Sequence, residues 1–327
     1  QRGEQTPPPS TTRVSGIRVM GLSIPVLARG DSWLVVAKPS GIVVHRNEWS
    51  SRSQVALLQL VRDQLGAYVN PVHRLDAGTS GCLLFAEDAA TTAMLQAAMR
   101  SEHASKMYLA FCRGDARGLV HHTESRPIKD DKGILREAAT LLHCVGGCDD
   151  TSVPPELGER SSLITAWPRT GRWHQIRKHM NGLSHPVLND AKHGDSRVNR
   201  WWRSRRGLEG LGLHCAQMSL PLASGEVLDV HCPVRKDLLD IWRQLPWWEQ
   251  AREALPLLDE PDPWDADSLA ALEEMIEFAD RNTRRPKRAH QAVSNRGTCD
   301  SRRASSGART VDDSVGDGTS SWAESSI

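Results

Sequence analysis

A nine-residue loop followed directly by a hydrophobic strand constrains the fold of this chain more than any other stretch. Residues 73–81 read His-Arg-Leu-Asp-Ala-Gly-Thr-Ser-Gly, and the apolar residues 82–86 follow at once. The loop places Asp76 two residues after Arg74, and a nearby arginine favours the ionised form of an acid. The small residues 78–81 predict a tight turn into a buried strand. The sequence therefore predicts an anionic side chain at the entrance of the core.

Two other interpretations of this loop need to be considered. An aspartate in such a loop can simply bond its own backbone and stabilise a structural turn. A protein-kinase catalytic loop also contains His-Arg-Asp, but here Leu75 separates Arg74 from Asp76, and the chain has no glycine-rich phosphate loop. The kinase interpretation is therefore rejected, and the structural turn stays open at this point.

The composition indicates a globular protein whose binding surfaces are local. The chain has 327 residues, enough for one large domain or two, and a formal net charge of only +1. Any nucleic-acid surface must therefore be a local patch. The seven cysteines follow no tight repeat, which favours reduced thiols inside a cell over a disulfide framework. The sequence contains no run of about 18 apolar residues, the length that forms a transmembrane helix.

Local composition divides the chain into four segments. Residues 1–25 are polar and proline-containing, so we expect a disordered leader. Residues 26–250 carry the periodic patterns of strands and helices and form the predicted catalytic domain. Residues 251–280 contain prolines and then one amphipathic pattern, which predicts a helical extension. Residues 281–327 are first basic and then rich in Ser, Gly and Asp, so we expect a disordered tail.

Two further stretches carry residues of chemical interest. Tyr108 is one of only two tyrosines and opens a predicted strand two residues after Lys106, a pattern that is also typical of a core tyrosine. Residues 169–180 read Arg-Thr-Gly-Arg-Trp-His-Gln-Ile-Arg-Lys-His-Met, with Ile176 four residues before Met180 on one helical face. An arginine beside that face, at position 177, can reach inward or toward a ligand. The alternative is a basic, solvated helix face.

A basic stretch at residues 197–206 offers the local patch that the neutral overall charge requires. It holds five arginines interleaved with Trp201 and Trp202. Cationic side chains bind phosphates and indole rings offer stacking faces. We therefore expect Arg200 and Arg203 to contact a nucleic acid, with a solvated loop as the alternative.

Together these motifs resemble the RluA family of pseudouridine synthases. Residues 73–81 are similar to the family's H-R-L-D-x-x-T-S-G, and Lys106 with Tyr108 to its K-x-Y. Residues 170–179 match T-G-R-x-H-Q-[IL]-R-x-H almost letter for letter, and a Lys-Pro-Ser-Gly turn at residues 38–41 adds weaker support.

The resemblance runs from about residue 33 to residue 248, roughly two-thirds of the chain. Within the family it is strongest to the tRNA pseudouridine synthase C branch, which modifies the uridine at position 65 of tRNA, in the T arm. Ala77 stands where the family usually has Arg, a difference that concerns substrate contacts and not the nucleophile. Asn189 stands where the family usually has Gly, and Asn tolerates a positive φ better than most residues.

The resemblance implies an α+β fold, with a mixed, mainly antiparallel sheet, flanking helices and a central RNA-binding cleft. It implies that Asp76 is the nucleophile and that an arginine pairs with it, Arg177 as the first candidate and Arg172 as the second. It also implies that Tyr108 packs against the flipped-out base. Further residues are expected to contact the substrate: Arg74, Arg172, His174, Leu213, Arg200 and Arg203.

The implied reaction is the isomerisation of a uridine in structured RNA, with tRNA as the expected partner and rRNA as the alternative. We expect no cofactor, no metal and no membrane partner, and a monomer in the cytoplasm, with the nucleus or an organelle as other locations. Two different classes stay open: an RNA chaperone without catalysis, and a metallohydrolase built on the histidines. The sequence has no His-Glu-x-x-His motif, and Cys144 with Cys148 lacks a second pair for zinc.

Overall fold

A ten-stranded mixed sheet forms the centre of the protein. The computed structural model describes residues 11–14, 17–20, 22–46, 54–130, 132–148 and 160–283. No helix among these residues is long and apolar enough to cross a membrane.

Runs of consecutive strands are separated by single helices or by groups of helices along the chain. In chain order the strands are β1 (Thr11–Val14), β2 (Ile17–Met20), β3 (Val26–Arg29), β4 (Trp33–Lys38), β5 (Asn70–Pro71), β6 (Ser80–Ala86), β7 (Ser105–Arg113), β8 (His122–Glu124), β9 (Ile128–Lys129), β10 (Leu135–Arg136), β11 (Thr140–Cys148), β12 (Ser161–Pro168), β13 (Leu213–Pro221) and β14 (Val227–His231). The helices are α1 (Leu57–Leu65), α2 (Ala89–Ala98), α3 (Gln175–Gly182), α4 (Ser196–Arg206), α5 (Lys236–Trp242), α6 (Trp248–Ala254) and α7 (Ala266–Thr283), with a short 3-10 helix at Pro256–Asp259.

The sheet topology brings the separate sequence motifs to one place. The strand order is β3-β4-β6-β13-β7-β12-β11-β8, with β14 beside β13 and β5 beside β6. Strand β13 runs parallel to β6 and antiparallel to β7, so that His214 pairs with Ser80 and Cys215 with Tyr108. All other pairs are antiparallel. The strand that follows the Asp76 loop therefore lies one strand away from the strand of Tyr108, and the predicted mixed, mainly antiparallel sheet is confirmed.

The close approach of β6 and β13 explains one glycine of the loop motif. Gly81 has a φ of +113°, and a Cβ atom there would overlap with the backbone of Cys215. Only glycine meets both conditions, since other residues rarely adopt this φ and all carry a Cβ. The loop can therefore lead directly into the sheet.

Two hydrophobic cores lie on opposite faces of the sheet. Successive residues of β7 belong alternately to the two cores: Tyr108 belongs to the first, and Leu109 and Phe111 belong to the second. Buried residues of α1, α2 and α7 join the first core. The second is rich in indoles, and Phe111 meets Trp202 edge to face with ring centroids 5.0 Å apart. Period-two alternation of this kind is what a sheet covered on both faces requires.

The ordered part of the chain begins earlier than the sequence predicts. Strands β1 and β2 pair within the segment expected to be a disordered leader. Leu22 and Ile24 are each only 1% exposed. The backbone of Ile24 exchanges hydrogen bonds with the Gln64 side chain, and the Ser23 N–H donates to Ser268 Oγ. These partners are distant in sequence, so local composition could not reveal them. Residues 1–10 lie outside the described residues.

The folded unit also continues beyond the predicted boundary at residue 250. Helix α7 spans the amphipathic pattern of residues 265–281, but it is not a separate extension. Its residues Leu272, Met275 and Ala279 are buried in the first core, together with Trp264. The predicted boundary at residue 250 falls within α6, and α7 packs on the same core as the strands of the sheet. The remainder of the predicted tail, from residue 284 onward, lies outside the described residues.

Candidate active site

The loop that carries Asp76 is fixed from behind by Lys38. This side chain is 1% exposed, and its Nζ donates to the carbonyls of Pro39, Ala77 and Thr79 at 2.9, 3.0 and 2.8 Å. Burial lowers the pKa of Lys38 to about 7, against the opposing attraction of Asp76. The Lys-Pro-Ser-Gly turn thus acts as a support for the loop on which Asp76 stands.

Asp76 is bound by Arg177, as the resemblance implies. Arg177 Nη1 donates to Asp76 Oδ2 at 2.8 Å, across 101 positions of sequence. The Arg177 side chain is 10% exposed and that of Asp76 28% exposed, so the pair lies at the inner end of an open cleft. The alternative interpretation, in which Asp76 only bonds its own backbone in a structural turn, is therefore incomplete, because the carboxylate also accepts a hydrogen bond from Arg177.

A second carboxylate, which sequence reasoning missed, holds Arg177 in place. Arg177 Nε and Nη2 each donate to an oxygen of Asp190 at 2.7 Å. The side chain of Asp190 is fully buried and also accepts from the backbone N–H groups of Lys192 and His193. Burial alone would raise the pKa of Asp190, but these bonds outweigh it and the pKa lies below its ordinary value. In the sequence, the sign of this residue was its position at the end of the His-Pro-Val-Leu-Asn-Asp stretch, residues 185–190.

Gln175 fixes the turn that starts helix α3. Its Oε1 accepts from Thr170 Oγ1 and from the Arg172 N–H, and its Nε2 donates to the Ala139 carbonyl and to Thr140 Oγ1. This buried side chain explains why the motif needs a threonine and a glutamine at this spacing. Arg172 itself is exposed and donates to a backbone carbonyl through Nε. It therefore does not reach Asp76, and Arg177 alone takes that position.

A small pocket opens beside the Asp76–Arg177 pair. It has a volume of about 110 Å³, and its walls include Tyr108, His174 and Leu213. Burial raises the pKa of Tyr108 well above its ordinary value, so that its hydroxyl stays protonated. The pocket offers an aromatic ring and an aliphatic side chain next to a carboxylate, which suits a flat, polar-edged ring.

The pocket adjoins a wider cleft of about 870 Å³. Arg74 is exposed and Lys106 is half-buried, and both side chains line both spaces. Burial lowers the pKa of Lys106. The exposed indole of Trp173 also lines the cleft, with the Nζ atoms of Lys178 and Lys192 4.4 and 4.1 Å from its ring centroid. The cleft is therefore bordered by cations and has two anionic side chains in its lining, Asp76 and Glu209.

Helix α4 carries the basic stretch, which is not a loop. Asp195 caps its N-terminus by accepting from two backbone N–H groups. Arg200 and Arg203 are exposed on this helix and line neither cavity. Trp202 is fully buried, and Trp201 packs edge to face against it. The expectation that both indoles offer stacking faces is therefore corrected for Trp202, because the helix turns that residue into the second core.

The histidines of the motifs have separate partners within the fold. His179 shares a hydrogen bond with Thr140 Oγ1, and His185 with the carbonyl of Arg113. His174 and His193 bond to each other. Among the described residues, no group of three or more His, Cys, Asp or Glu is arranged to hold a metal ion.

Comparison with known proteins agrees with this arrangement. The family model for RNA pseudouridylate synthase matches residues 32–182. The tRNA pseudouridine synthase C of Haemophilus ducreyi is 31% identical over 202 residues, which cover 59% of this chain and 83% of the relative. That of Pasteurella multocida is 32% identical over 208 residues, 60% of this chain and 85% of the relative.

Solved structures show the same fold. Human RNA Pseudouridylate Synthase Domain Containing 1 superposes with a TM-score of 0.51 at 22% identity and covers 74% of this chain and 97% of its own. Human RNA Pseudouridylate Synthase Domain Containing 4 gives a TM-score of 0.51 at 20% identity, over 71% and 93% of the two chains. With the matched motifs and the curated relatives, these findings lead to one conclusion: the chain belongs to the RluA-type family of RNA pseudouridylate synthases.

Proposed function

We propose that this pseudouridine synthase acts on tRNA and isomerises a uridine of the T arm. The observation that carries the proposal is the 2.8 Å contact of Asp76 with Arg177 at the mouth of a pocket walled by Tyr108. The relatives named tRNA pseudouridine synthase C support tRNA as the substrate class.

In this proposal Asp76 is the nucleophile. The side chain is oriented by its contact with Arg177 and is exposed enough to meet a ligand. Its attack on the nucleoside, at the ribose or at the base, leads to cleavage of the N1–C1′ bond. The freed uracil turns in the pocket, and the C5–C1′ bond forms. Arg177 orients the carboxylate, and Asp190 in turn orients Arg177.

The target uridine has to leave its helix before Asp76 can reach it. Extruding a base costs a few kcal/mol, which contacts in the protein must offset. We assign the base to the pocket of about 110 Å³, packed between Tyr108 and Leu213. Arg74, exposed at the border of pocket and cleft, fills the space left in the RNA or binds the displaced phosphate.

The surrounding cations supply affinity. Arg200 and Arg203 project from α4 without lining the pocket, a position that suits contact with the phosphates of the stem. Such contacts position the RNA but carry no sequence information. Affinity and chemistry are thus assigned to different residues.

Pseudouridine mapping across total RNA from cells with and without this protein tests the proposal. We expect one class of site, in the T arm of tRNA, to lose pseudouridine when the protein is absent. Loss of sites in rRNA alone would transfer the activity to the alternative substrate. Unchanged pseudouridine at every site, with RNA bound normally by the purified protein, would favour the RNA chaperone.

A further inference from the structure

A second titratable side chain faces the carboxylate of Asp76. His174 Nε2 lies 3.7 Å from Asp76 Oδ2, on the opposite side of the imidazole ring from a bond to another histidine. The His174 side chain is only 11% exposed and lines the pocket proposed for the base. The His174 imidazole is therefore close to any substrate atom that Asp76 attacks.

The backbone of His174 is strained. Its φ and ψ are 56° and 29°, a left-handed conformation that is uncommon for residues other than glycine. His174 occupies the N-cap position of α3, yet its side chain makes no capping bond. Strain of this kind costs about 1–3 kcal/mol and persists where the surroundings enforce it, often at active sites. The strain aims the ring into the pocket instead of at the helix end.

Two neighbours hold the ring in this orientation. The indole of Trp173 stacks on it with ring centroids 4.0 Å apart and an interplanar angle of 26°. His174 Nδ1 and His193 Nε2 share a hydrogen bond of 2.8 Å. His193 is half-buried, so this bond leads from the pocket toward solvent. Burial lowers the pKa of His174 to about 4, with Asp76 acting against the shift, and the ring is therefore neutral near pH 7.

The reaction requires a proton acceptor at this place. After the C5–C1′ bond has formed, C5 carries both its hydrogen and the ribose. Loss of the C5 proton restores the C5–C6 double bond, and N1 takes up one proton, so that substrate and product have the same composition. If Asp76 attacked the ribose, formation of the C5–C1′ bond has broken its bond to C1′, and its carboxylate is hydrogen-bonded to Arg177. If it attacked the base, it is still bound to the ring. The C5 proton can therefore be taken by a base other than Asp76.

We propose that His174 is this base and that His193 carries the proton onward to solvent. The proposal rests on the proposed function. His174 Nε2 accepts the C5 proton, the electron pair of the C5–H bond forms the C5–C6 double bond, and the π pair of the C6–N1 bond moves onto N1. At the same time the Nδ1 proton of His174 passes to His193 Nε2. His193 releases its own proton from the other ring nitrogen to water, and N1 takes a proton from water.

The isotope effect at C5 distinguishes this role from a structural one. Single-turnover rates are measured with tRNA transcripts whose uridines carry either hydrogen or deuterium at C5, for the wild type and for His174→Gln. We expect His174→Gln to be slower by about 100-fold or more, the range of general-base catalysis. We also expect its rate ratio of hydrogen to deuterium to exceed that of the wild type, because proton removal has become limiting.

Two further variants keep the test decisive. His193→Gln leaves His174 in place but interrupts the relay, and we expect a smaller rise of the isotope ratio; this variant decides the matter if His174→Gln does not fold. His231→Gln is the control, since His231 is exposed on β14 away from the cleft. Isotope ratios equal to the wild type in both His174→Gln and His193→Gln would overturn the proposal. Absence of pseudouridine with the wild type would instead count against tRNA as the substrate.

Discussion

Asp190 holds the guanidinium of Arg177 at two points, with both hydrogen bonds 2.7 Å long, directly behind Asp76. Only Nη1 of Arg177 is left to meet Asp76. A planar guanidinium can satisfy both carboxylates at once, whereas the point charge of a lysine cannot. The position of the proposed nucleophile therefore depends on a buried residue that does not touch the substrate.

Replacing Asp190 should separate catalysis from RNA binding. In Asp190→Asn one of the two contacts to Arg177 loses its acceptor, and Arg177 is free to shift from Asp76. We expect single-turnover pseudouridine formation to fall by about 100-fold or more, with RNA affinity unchanged within a few-fold. Asp229→Asn, at an exposed position on β14, is the matched control. Full activity of Asp190→Asn would contradict the positioning role.

The glycine at the start of β6 should tolerate no side chain. Gly81→Ala places a methyl group on the backbone of Cys215 and strains a φ of +113°. We expect several kcal/mol of destabilisation, or failure to fold, by the general cost of overpacking and backbone strain. Gly118→Ala is the control, because a Cβ there meets nothing within 4 Å. Equal melting temperatures of the two variants would show that β6 and β13 are further apart than described.

A buried histidine should make the protein sensitive to mild acid. His214 bonds to Ser80 Oγ and the Cys232 carbonyl, and burial lowers its pKa from 6.5 to about 4 against the effect of the carbonyl bond. The unfolded chain therefore binds more protons than the folded protein between these pH values. The free energy of unfolding should fall as pH drops through this window, by roughly 3 kcal/mol from this group.

Denaturant titrations from pH 7 to pH 4 test this prediction. His214→Gln should show a flatter fall of unfolding free energy than the wild type, whatever its stability at pH 7. His231→Gln, at an exposed position, should retain the wild-type slope. A His214→Gln slope equal to that of the wild type would mean that His214 titrates normally in the folded state.

The arginines of α4 should determine the salt dependence of RNA binding. Arg200, Arg203 and Arg205 are exposed along this helix. Each phosphate contact that is removed lowers the log–log salt slope by about 0.9 in duplex regions. Replacing all three by Ala should flatten the slope and weaken binding to every RNA alike, while Arg252→Ala on α6 should not. An unchanged slope would show that these arginines are solvated and do not contact the RNA.

The meeting of the site residues could be predicted from the sequence because these residues stand in contiguous motifs. Asp76, Tyr108 and Arg177 meet because β6, β13, β7 and β12, the strand before α3, are adjacent in this order. Each motif already contained the local features that place its side chain. The turn residues of the Asp76 loop and the helical spacing of Ile176 and Met180 are examples. Local patterns of this kind act over a few residues and can be read directly.

The parts that depend on distant contacts could not be predicted. Trp202 is buried because it packs on Phe111. The arginines around it in the sequence indicate an exposed segment and give no sign of this burial. The docking of α7 on the first core, and the partners of Ile24, arise between segments far apart in sequence. Asp190 was visible as a motif member, but only the fold reveals that it binds Arg177. Tertiary packing determines all of these features, and they cannot be inferred from local composition.

The most direct test of the account is pseudouridine formation by Asp76→Asn on tRNA transcripts, measured together with RNA affinity. The amide has nearly the same shape as the carboxylate but is a poor nucleophile. We expect Asp76→Asn to form no pseudouridine and to bind the transcript within a few-fold of the wild type, because the arginines of α4 and the cleft are unchanged. Normal turnover by purified Asp76→Asn would contradict the assignment of Asp76 as the nucleophile.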